Sequence, residues 1–489
     1  MFGYKQPRWA KGLVIAGAGF IVGLLVAHIP ASRADKPLSA FDFFDILVDL
    51  RSIVSTNYVE PVADDKLLKG AIDGMLGELD PYSNYFSREE WIAFEKQTRG
   101  QFTGIGAELS EDPTTGHITV VSPLEDSPAL KAGIMAGDRF LSINGVNLDG
   151  KSLRDIITDI GGPPGTKLNV KVIRSGEKAP LNIEIERGVV AIQTVRGVKH
   201  RDDGSGTWDF VLDPEHRIGY ARINSFSNNT SNELDRLLLP LLEGPNALKG
   251  LILDLRFNPG GLLVEGCAVA DRFLSEGVIV STRGRQPSSI SVTNATPKDD
   301  YPVIPMVVLV NEYSASAAEI VAGALKDHHR AVLVGNRTYG KGSVQTMIAF
   351  NNGQSALKLT TANYYLPSGK HITRRKDAKE WGVDPHPGQS VEITEVENRA
   401  ILRARAQSDI IMPKTTTQPV STQPASTQPT TQNVVDRQLQ QALNLLLEQK
   451  TAGILETART TPAIQTTQPE VGASMPATTT SQPATEPRP

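Results

Sequence analysis

The chain has 489 residues, 39% of them hydrophobic and 21% charged. That is too long for one ordinary domain, too polar for a multi-span membrane protein and too apolar for a wholly disordered chain. A net charge of −4 speaks against an electrostatic nucleic-acid binder, and a lone cysteine, Cys267, excludes an intramolecular disulfide or a cysteine-rich zinc module.

Residues 1–34 read as an export signal. Lys5, Arg8 and Lys11 precede a nearly all-apolar run from Gly12 to Pro30, and small residues follow at Ala31, Ser32 and Ala34. As a helix, Gly12 to Ile29 would span roughly 27 Å, about one hydrocarbon core, so the same stretch left uncut would be an anchor with its basic end inside. Either way the protein is expected in the periplasm or cell envelope. Residues 35–98 read as a helical region: Phe41, Phe44, Leu47, Val48 and Ile53 share one stripe, and Leu67, Leu68, Ile72, Met75 and Leu76 another. The turn Asp80-Pro81-Tyr82-Ser83 ends the second helix. So thin a core is expected to pack on the rest of the chain or on a second copy.

Residues 102–187 change character. Short strand-like runs, Ile118 to Val121, Phe140 to Ile143 and Leu168 to Ile173, are separated by Gly137-Asp138, Asn144-Gly145 and Gly161-Gly162-Pro163-Pro164-Gly165, with one good helix from Ser152 to Ile160. The order resembles a PDZ domain. Phe102-Thr103-Gly104-Ile105-Gly106 stands where that fold has its carboxylate-binding loop, followed by the matching Ser127-Pro128-Ala129, Ala132-Gly133-Ile134 and Ile143-Asn144-Gly145. Such a loop aims backbone N–H groups at an anion while a sheet edge accepts an extended peptide.

Residues 188–412 alternate strand-like runs (Ile218 to Arg222, Gly250 to Leu255, Met306 to Val310, Ala331 to Val334) with helical ones (Asn232 to Leu242, Leu262 to Leu274, Ala315 to Lys326). That is an α/β layout of βα units, in which ligands gather at the carboxyl ends of strands. Three places there stand out: Asp254-Leu255-Arg256-Phe257-Asn258-Pro259-Gly260-Gly261, Asn311 to Glu319 around Ser314 and Ser316, and Thr338 to Gln345 around Gly340-Lys341-Gly342. Singly they read as a helix-starting turn, a serine N-cap and a solvated turn lysine. Together they are the parts of a Ser–Lys amidohydrolase: backbone donors, a serine at a helix start and a glycine-flanked lysine. No Gly-Lys-Ser/Thr follows the Gly260-Gly261 turn, as a phosphate loop there would need, and no Gly-x-Ser-x-Gly elbow or His-Glu-x-x-His is present.

From residue 413 the composition collapses into Thr, Gln, Pro, Ser and Ala, with repeated Thr-Gln-Pro units. The segments 413–433 and 458–489 therefore read as a disordered linker and tail. Between them, 434–457 places Leu439, Ala442, Leu443, Leu446 and Leu447 at helical spacing, an amphipathic helix that docks on the body or binds a separate partner.

Taken in order, these motifs resemble the carboxyl-terminal processing peptidases (tail-specific proteases, serine peptidases of the S41 type). The match runs from Ala71-Ile72-Asp73-Gly74-Met75-Leu76 and Leu79 to Ser83, through the PDZ series, to Tyr364-Tyr365-Leu366-Pro367-Ser368-Gly369, and Asp436 to Leu443 resembles the family's C-terminal helix. The resemblance implies a multidomain α/β protein with a crotonase/ClpP-like protease core and an inserted PDZ domain. It implies a Ser–Lys endopeptidase with no cofactor or metal, taking protein or peptide substrates with free C-termini. A homo-oligomer and a lipoprotein or adaptor regulator are further implied partners. The family's spacing from its lysine makes Ser316 rather than Ser314 the nucleophile, with Lys341 the general base and Gln345 the lysine-orienting residue, and Asp327 matches an aspartate implicated in some members. The N–H groups of Ala317 and of Gly260 or Gly261 are the implied oxyanion donors. Ala318 replaces a third serine common in relatives, and Gly161-Gly162 replaces a frequent Arg-Gly, which puts the coupling of PDZ domain to active site in doubt.

Two competing readings exist. A serine–histidine pair would use His328-His329, which more simply ends a helix. A PDZ scaffold with a vestigial serine is opposed by the intact Ser316, Lys341 and Gln345. The Ser–Lys reading sets a physical condition: bringing a lysine from about 10.4 to about 7 requires roughly 4 to 5 kcal/mol of differential destabilisation of the ammonium, within reach of desolvation.

Overall fold

The computed structural model describes residues 39–98, 100–297, 300–412 and 435–460. The expected export segment 1–34, the linker 413–433 and the tail beyond residue 460 lie outside the described residues. Among the described residues, no helix is long and apolar enough to cross a membrane.

The chain divides into two compact units at Leu79. The first contains helices Ala40–Asn57 and Asp64–Gly77. Ser39 opens the first helix with a capping box, its hydroxyl accepting the Asp42 N–H at 3.2 Å while the Asp42 carboxylate accepts the Ser39 N–H at 3.3 Å. Arg51 pairs with Asp64 across the connection. Phe41, Phe44 and Val59 stay exposed.

The helical region read as 35–98 does not remain one unit. Asn84–Phe86 is a strand of the second unit, laid antiparallel against Ser355–Tyr365 with Asn84 opposite Lys358. Helix Arg88–Thr98 follows, and Phe86, Trp91 and Phe94 gather with ring centroids 5.0 to 6.4 Å apart. A three-residue edge strand carries no periodicity of its own, so only its partner reveals it.

The PDZ sheet runs Ala107–Glu111, Ile118–Pro123, Arg139–Ile143, Lys167–Ile173, Leu181–Glu186, each antiparallel to the next. Lys167–Ile173 alternates strictly, burying Leu168, Val170 and Val172 against Ile118, Ile143 and Ile156. Ser152 caps helix Leu153–Ile160 by accepting the Asp155 N–H at 3.2 Å. Ala107–Glu111 has a neighbour on one side only, so that edge is open. Gln101–Gly104 pairs with Gly188–Ala191, tying together the two points where the chain enters and leaves the domain.

In the α/β core, Ile218–Ile223, Gly250–Asp254, Met306–Val310 and Val332–Gly335 lie parallel in that order. Every residue of these strands is buried, as a parallel sheet covered on both faces requires. One face packs on helices Thr230–Leu242, Leu263–Asp271 and Ala317–Asp327. The other packs Ile218, Ile252, Val307 and Val334 against Ala442, Leu445 and Leu446. The C-terminal amphipathic stretch thus docks on the body.

It is two helices rather than one, Arg437–Leu447 and Thr451–Thr460, the second running past the expected limit at residue 457. The break lies at Gln449, whose φ is 55°, where the N–H groups of Gln449 and Lys450 reach back to the carbonyls of Leu446 and Leu445 at 3.2 and 3.0 Å. Glycine usually signals this stop, and here glutamine adopts it.

A second, antiparallel sheet was not legible in the sequence. Ser355–Tyr365 pairs with Ser343–Phe350 and with Val278–Gly284, which pairs with Ile290–Asn294. This sheet carries Tyr364 to the turn that holds Ser316.

Candidate active site

Three turns at the carboxyl ends of the parallel strands meet here. After Met306–Val310, Ser314 pins the first: its hydroxyl donates to the Leu255 carbonyl at 2.8 Å and accepts the Asn311 N–H at 3.0 Å. Ser314 is therefore structural. Ser316 has φ 57° and ψ −117°, outside the usual regions for a side-chain-bearing residue, and stands immediately before helix Ala317–Asp327. Such a conformation costs on the order of 1–3 kcal/mol and persists only where surrounding bonds over-determine it. The Ser316 N–H donates to Glu319 Oε2 at 2.8 Å. The Tyr364 phenol lies against the Ser316 side chain, and burial pushes that phenol up to about 12.

The glycine turn is pressed onto this serine. A Cβ placed on Gly260 would stand 2.7 Å from Ser316 Cβ and 2.7 Å from the Ala315 carbonyl oxygen. Only glycine permits that approach. The expected donors are not equivalent: Asn258 Oδ1 already accepts the Gly260 N–H at 2.8 Å. The bridge from Phe226 uses the Gly260 carbonyl and the Leu262 N–H, which leaves the Gly261 N–H out of that pairing. Ala317, first in its helix, has an N–H with no partner within the helix.

Lys341 follows Val332–Gly335 in a loop whose N–H groups at Gly340 and Lys341 donate to Glu319 at 2.7 and 2.8 Å. Its ammonium lies over the Tyr82 ring, 4.8 Å from the centroid. Asp80 sets that ring by accepting the N–H groups of Tyr82 and Ser83 at 2.8 and 2.9 Å, while Ser83 Oγ accepts the Thr360 N–H at 3.1 Å. Burial depresses the Lys341 pKa and the Lys358 charge adds to this, with Glu319 opposing both. Lys341, Tyr82, Tyr339, Phe257, Pro259 and Ala315 all border one cavity of about 640 Å³.

Other expected site residues fall elsewhere. Gln345 Nε2 donates to Ser343 Oγ at 2.8 Å and to Thr360 Oγ1 at 3.2 Å, and makes no hydrogen bond to Lys341. Asp327 closes the 11-residue helix that Ser316 opens, and accepts the Ser368 N–H at 2.9 Å. The helix rise separates the two by about 16 Å. Asp327 is not brought to Ser316. The histidines share that remote end: His328 Nε2 lies 2.7 Å from the Val278 carbonyl, and His329, at φ 52°, forms the helix stop.

In the PDZ domain, Phe102, Thr103, Gly104, Ile105 and Gly106 line a cavity of about 170 Å³ with Leu109, Ile157 and Ile160. Phe102 and Thr103 belong to the tie with Gly188–Ala191, and Ile105 is buried in the domain's core. A Cβ on Gly106, φ 73°, would meet Ser127 Cβ at 2.5 Å. Gly162 leaves room for Arg187, whose guanidinium donates to the Ile160 and Asp159 carbonyls at 2.7 and 2.9 Å, closing the helix along the groove.

Comparison with known proteins converges on these features. Residues 217–387 match peptidase family S41, residues 94–185 a PDZ domain, and residues 32–90 the N-terminal domain of the activating protease CtpB. A carboxy-terminal-processing protease of Bartonella bacilliformis is 39% identical over 368 residues, covering 74% of this chain and 81% of its own. The chain belongs to peptidase family S41. A "Probable CtpA-like serine protease" of Staphylococcus aureus is 33% identical over 393 residues, 79% of this chain and 75% of its own. Among solved structures, the photosystem II D1 C-terminal processing protease shares 29% identity at a TM-score of 0.39, over 71% of this chain and 86% of its own.

This S41 member is thus a serine-type peptidase of the C-terminal processing group, with a PDZ domain. Sequence reasoning missed three of its side chains. Glu319 ends the Asn311 to Glu319 stretch, and its place three positions after Ser316 matches a capping box. In the sequence Tyr82 belongs to a turn and Tyr364 to a family motif. Neither has a local signal, because each reaches the site across the antiparallel sheet or its edge.

Proposed function

We propose that this S41 peptidase is an endopeptidase that cleaves exported proteins near their C-termini with a Ser316–Lys341 dyad. The observation carrying the reading is the strained, glycine-covered Ser316 at a helix start, bonded through Glu319 to the loop that holds a desolvated Lys341. Neutral Lys341 takes the Ser316 proton as Oγ attacks the peptide carbonyl, and returns it to the leaving amine. The tetrahedral oxyanion is met by the N–H groups of Ala317 and Gly261. Water then hydrolyses the acyl-enzyme, with Lys341 again as base. The open edge Ala107–Glu111 accepts the substrate tail as an added strand, and the Gly104-Ile105-Gly106 turn takes its carboxylate. The periplasm or cell envelope is the proposed place of action, on the basic and apolar pattern of residues 5–30.

The test pairs the protein with its Ser316→Ala form on an unfolded protein such as β-casein, with mass spectrometry reading cleavage positions. Wild type is expected to release fragments and Ser316→Ala none. A peptide amidated at its C-terminus should be cut about 10- to 100-fold more slowly than its free acid, the worth of hydrogen bonds to a charged group. Equal turnover of the two peptides rejects the PDZ part of the reading; digestion by Ser316→Ala rejects the dyad.

A further inference from the structure

We propose that Glu319 is a positioning residue of the dyad, one buried carboxylate that sets the nucleophile and its base at a fixed separation. The proposal rests on the Ser316–Lys341 reading above. Glu319 is 0% exposed and accepts four hydrogen bonds. Oε2 takes the N–H groups of Ser316 and Lys341, both at 2.8 Å; Oε1 takes the Gly340 N–H at 2.7 Å and the Thr338 hydroxyl at 2.5 Å. An ionised carboxylate offers about four acceptor sites, and here each has a donor.

The donors come from two segments more than one helix apart in sequence. Glu319 lies on the first turn of the helix Ser316 opens, and Thr338 to Lys341 follow the next strand. The side chain therefore stitches adjacent βα units at their catalytic ends. The same oxygen, Oε2, holds both dyad backbones, so shifting one displaces the other. The bond to Ser316 also supplies over-determination that its positive φ requires. The hydrogen direction at Thr338 is settled by Val383, whose N–H donates to Thr338 Oγ1 at 2.7 Å, leaving the hydroxyl proton for Glu319. A protonated Glu319 would point its own O–H at a donor, so the arrangement calls for the anion even though burial raises its pKa.

That charge has a second consequence. Glu319 favours the protonated form of Lys341, while Lys358 on the Ser355–Tyr365 strand disfavours it. Tyr82, Tyr339, Glu395 and Arg399 border the same cavity. Removing the Glu319 charge should therefore let Lys341 lose its proton at lower pH.

The experiment measures kcat and KM of full-length Glu319→Gln on a fluorogenic peptide with a free C-terminus, across pH, with thermal unfolding giving the folded fraction. Glutamine offers one acceptor oxygen to the four donors and turns its NH₂ towards the rest. The expected result is a kcat about 10²-fold lower, as for a displaced reacting group, with KM within about twofold and the acidic limb moved to lower pH. Thr338→Val, which removes one donor and keeps the charge, should lower kcat without moving the limb. Wild-type kcat in both variants overturns the proposal. So does a loss that is uniform across pH and matched by the unfolded fraction. Inactive Ser316→Ala and Lys341→Ala enzymes beside a fully active Glu319→Gln enzyme sink this proposal alone; an active Ser316→Ala enzyme sinks the dyad reading beneath it.

Discussion

Lys341→Arg is expected to be as inactive as Lys341→Ala, losing roughly 10²- to 10⁴-fold in kcat, the usual contribution of a general base. Charge is conserved in the arginine variant, and what disappears is the ability to be neutral: a guanidinium keeps its proton in proteins. In the wild type, burial first and Lys358 second pull the Lys341 pKa below the 10.5 of a free lysine. Activity should therefore rise with pH at unit slope and level off at a midpoint below that value, once the amine is uncharged. Initial rates across pH for the three proteins check this. An arginine variant with wild-type turnover would end the Ser–Lys account.

The same shift predicts a trade between activity and stability. The folded protein binds the Lys341 proton less well than the unfolded chain does, so stability rises as pH climbs between the folded and unfolded pKa values. At neutral pH the buried ammonium is a cost, and Lys341→Met should melt higher than wild type while being inactive.

Arg256→Ala should destabilise the protein by about 3 to 5 kcal/mol, the cost of leaving a buried charge without its partner. Arg256 is 1% and Asp254 0% exposed. The Arg256 guanidinium donates to Asp254 at 2.7 Å, to both Asp436 oxygens at 2.8 Å and to Gln438 at 3.2 Å, and Arg405 donates to Asp254 at 2.5 Å. Burial alone would raise the Asp254 carboxyl, but Arg256 and Arg405 hold it well below the ordinary carboxylate range. That stabilisation is present at neutral pH and is lost as pH falls through the depressed value.

Since Asp436 also caps helix Arg437–Leu447, accepting the Leu439 N–H at 3.0 Å, the variant should loosen the cover over the back of the parallel sheet. Arg256 directly precedes the glycine turn beneath Ser316, so activity should fall with stability. Thermal unfolding is the measurement, with a fall of about 10 °C expected for a body of this size. Arg51→Ala serves as the contrast. Its pair with Asp64 is exposed and should be worth less than about 1 kcal/mol. Equal shifts in the two variants would show that the buried network carries no special weight.

The turns that form the candidate site are readable in the sequence because their signals are local. Gly260 and Gly261 answer to steric limits at a tight turn, Ser316 to a strand-to-helix junction, and Lys341 to its glycine neighbours. The parallel strands announced themselves as continuous apolar runs, and the PDZ strand Lys167–Ile173 by alternation. The auxiliary roles given to Gln345 and Asp327 came from family likeness. Their side chains meet Ser343, Thr360 and Ser368 here, partners no motif could name.

The amino-acid order by itself determined the α/β core, the PDZ strands and the turns that carry Gly260, Ser316 and Lys341, since propensity, turn chemistry and hydrophobic period act over a few residues. Only the tertiary structure decided that Asn84–Phe86 joins the protease sheet, that Gln449 breaks the last helix, that Tyr82 covers the lysine and that Glu319 joins its loop to the serine. Those outcomes depend on which distant backbone N–H and side chain a group meets once water is excluded, and burial of that kind has no signature along a one-dimensional chain.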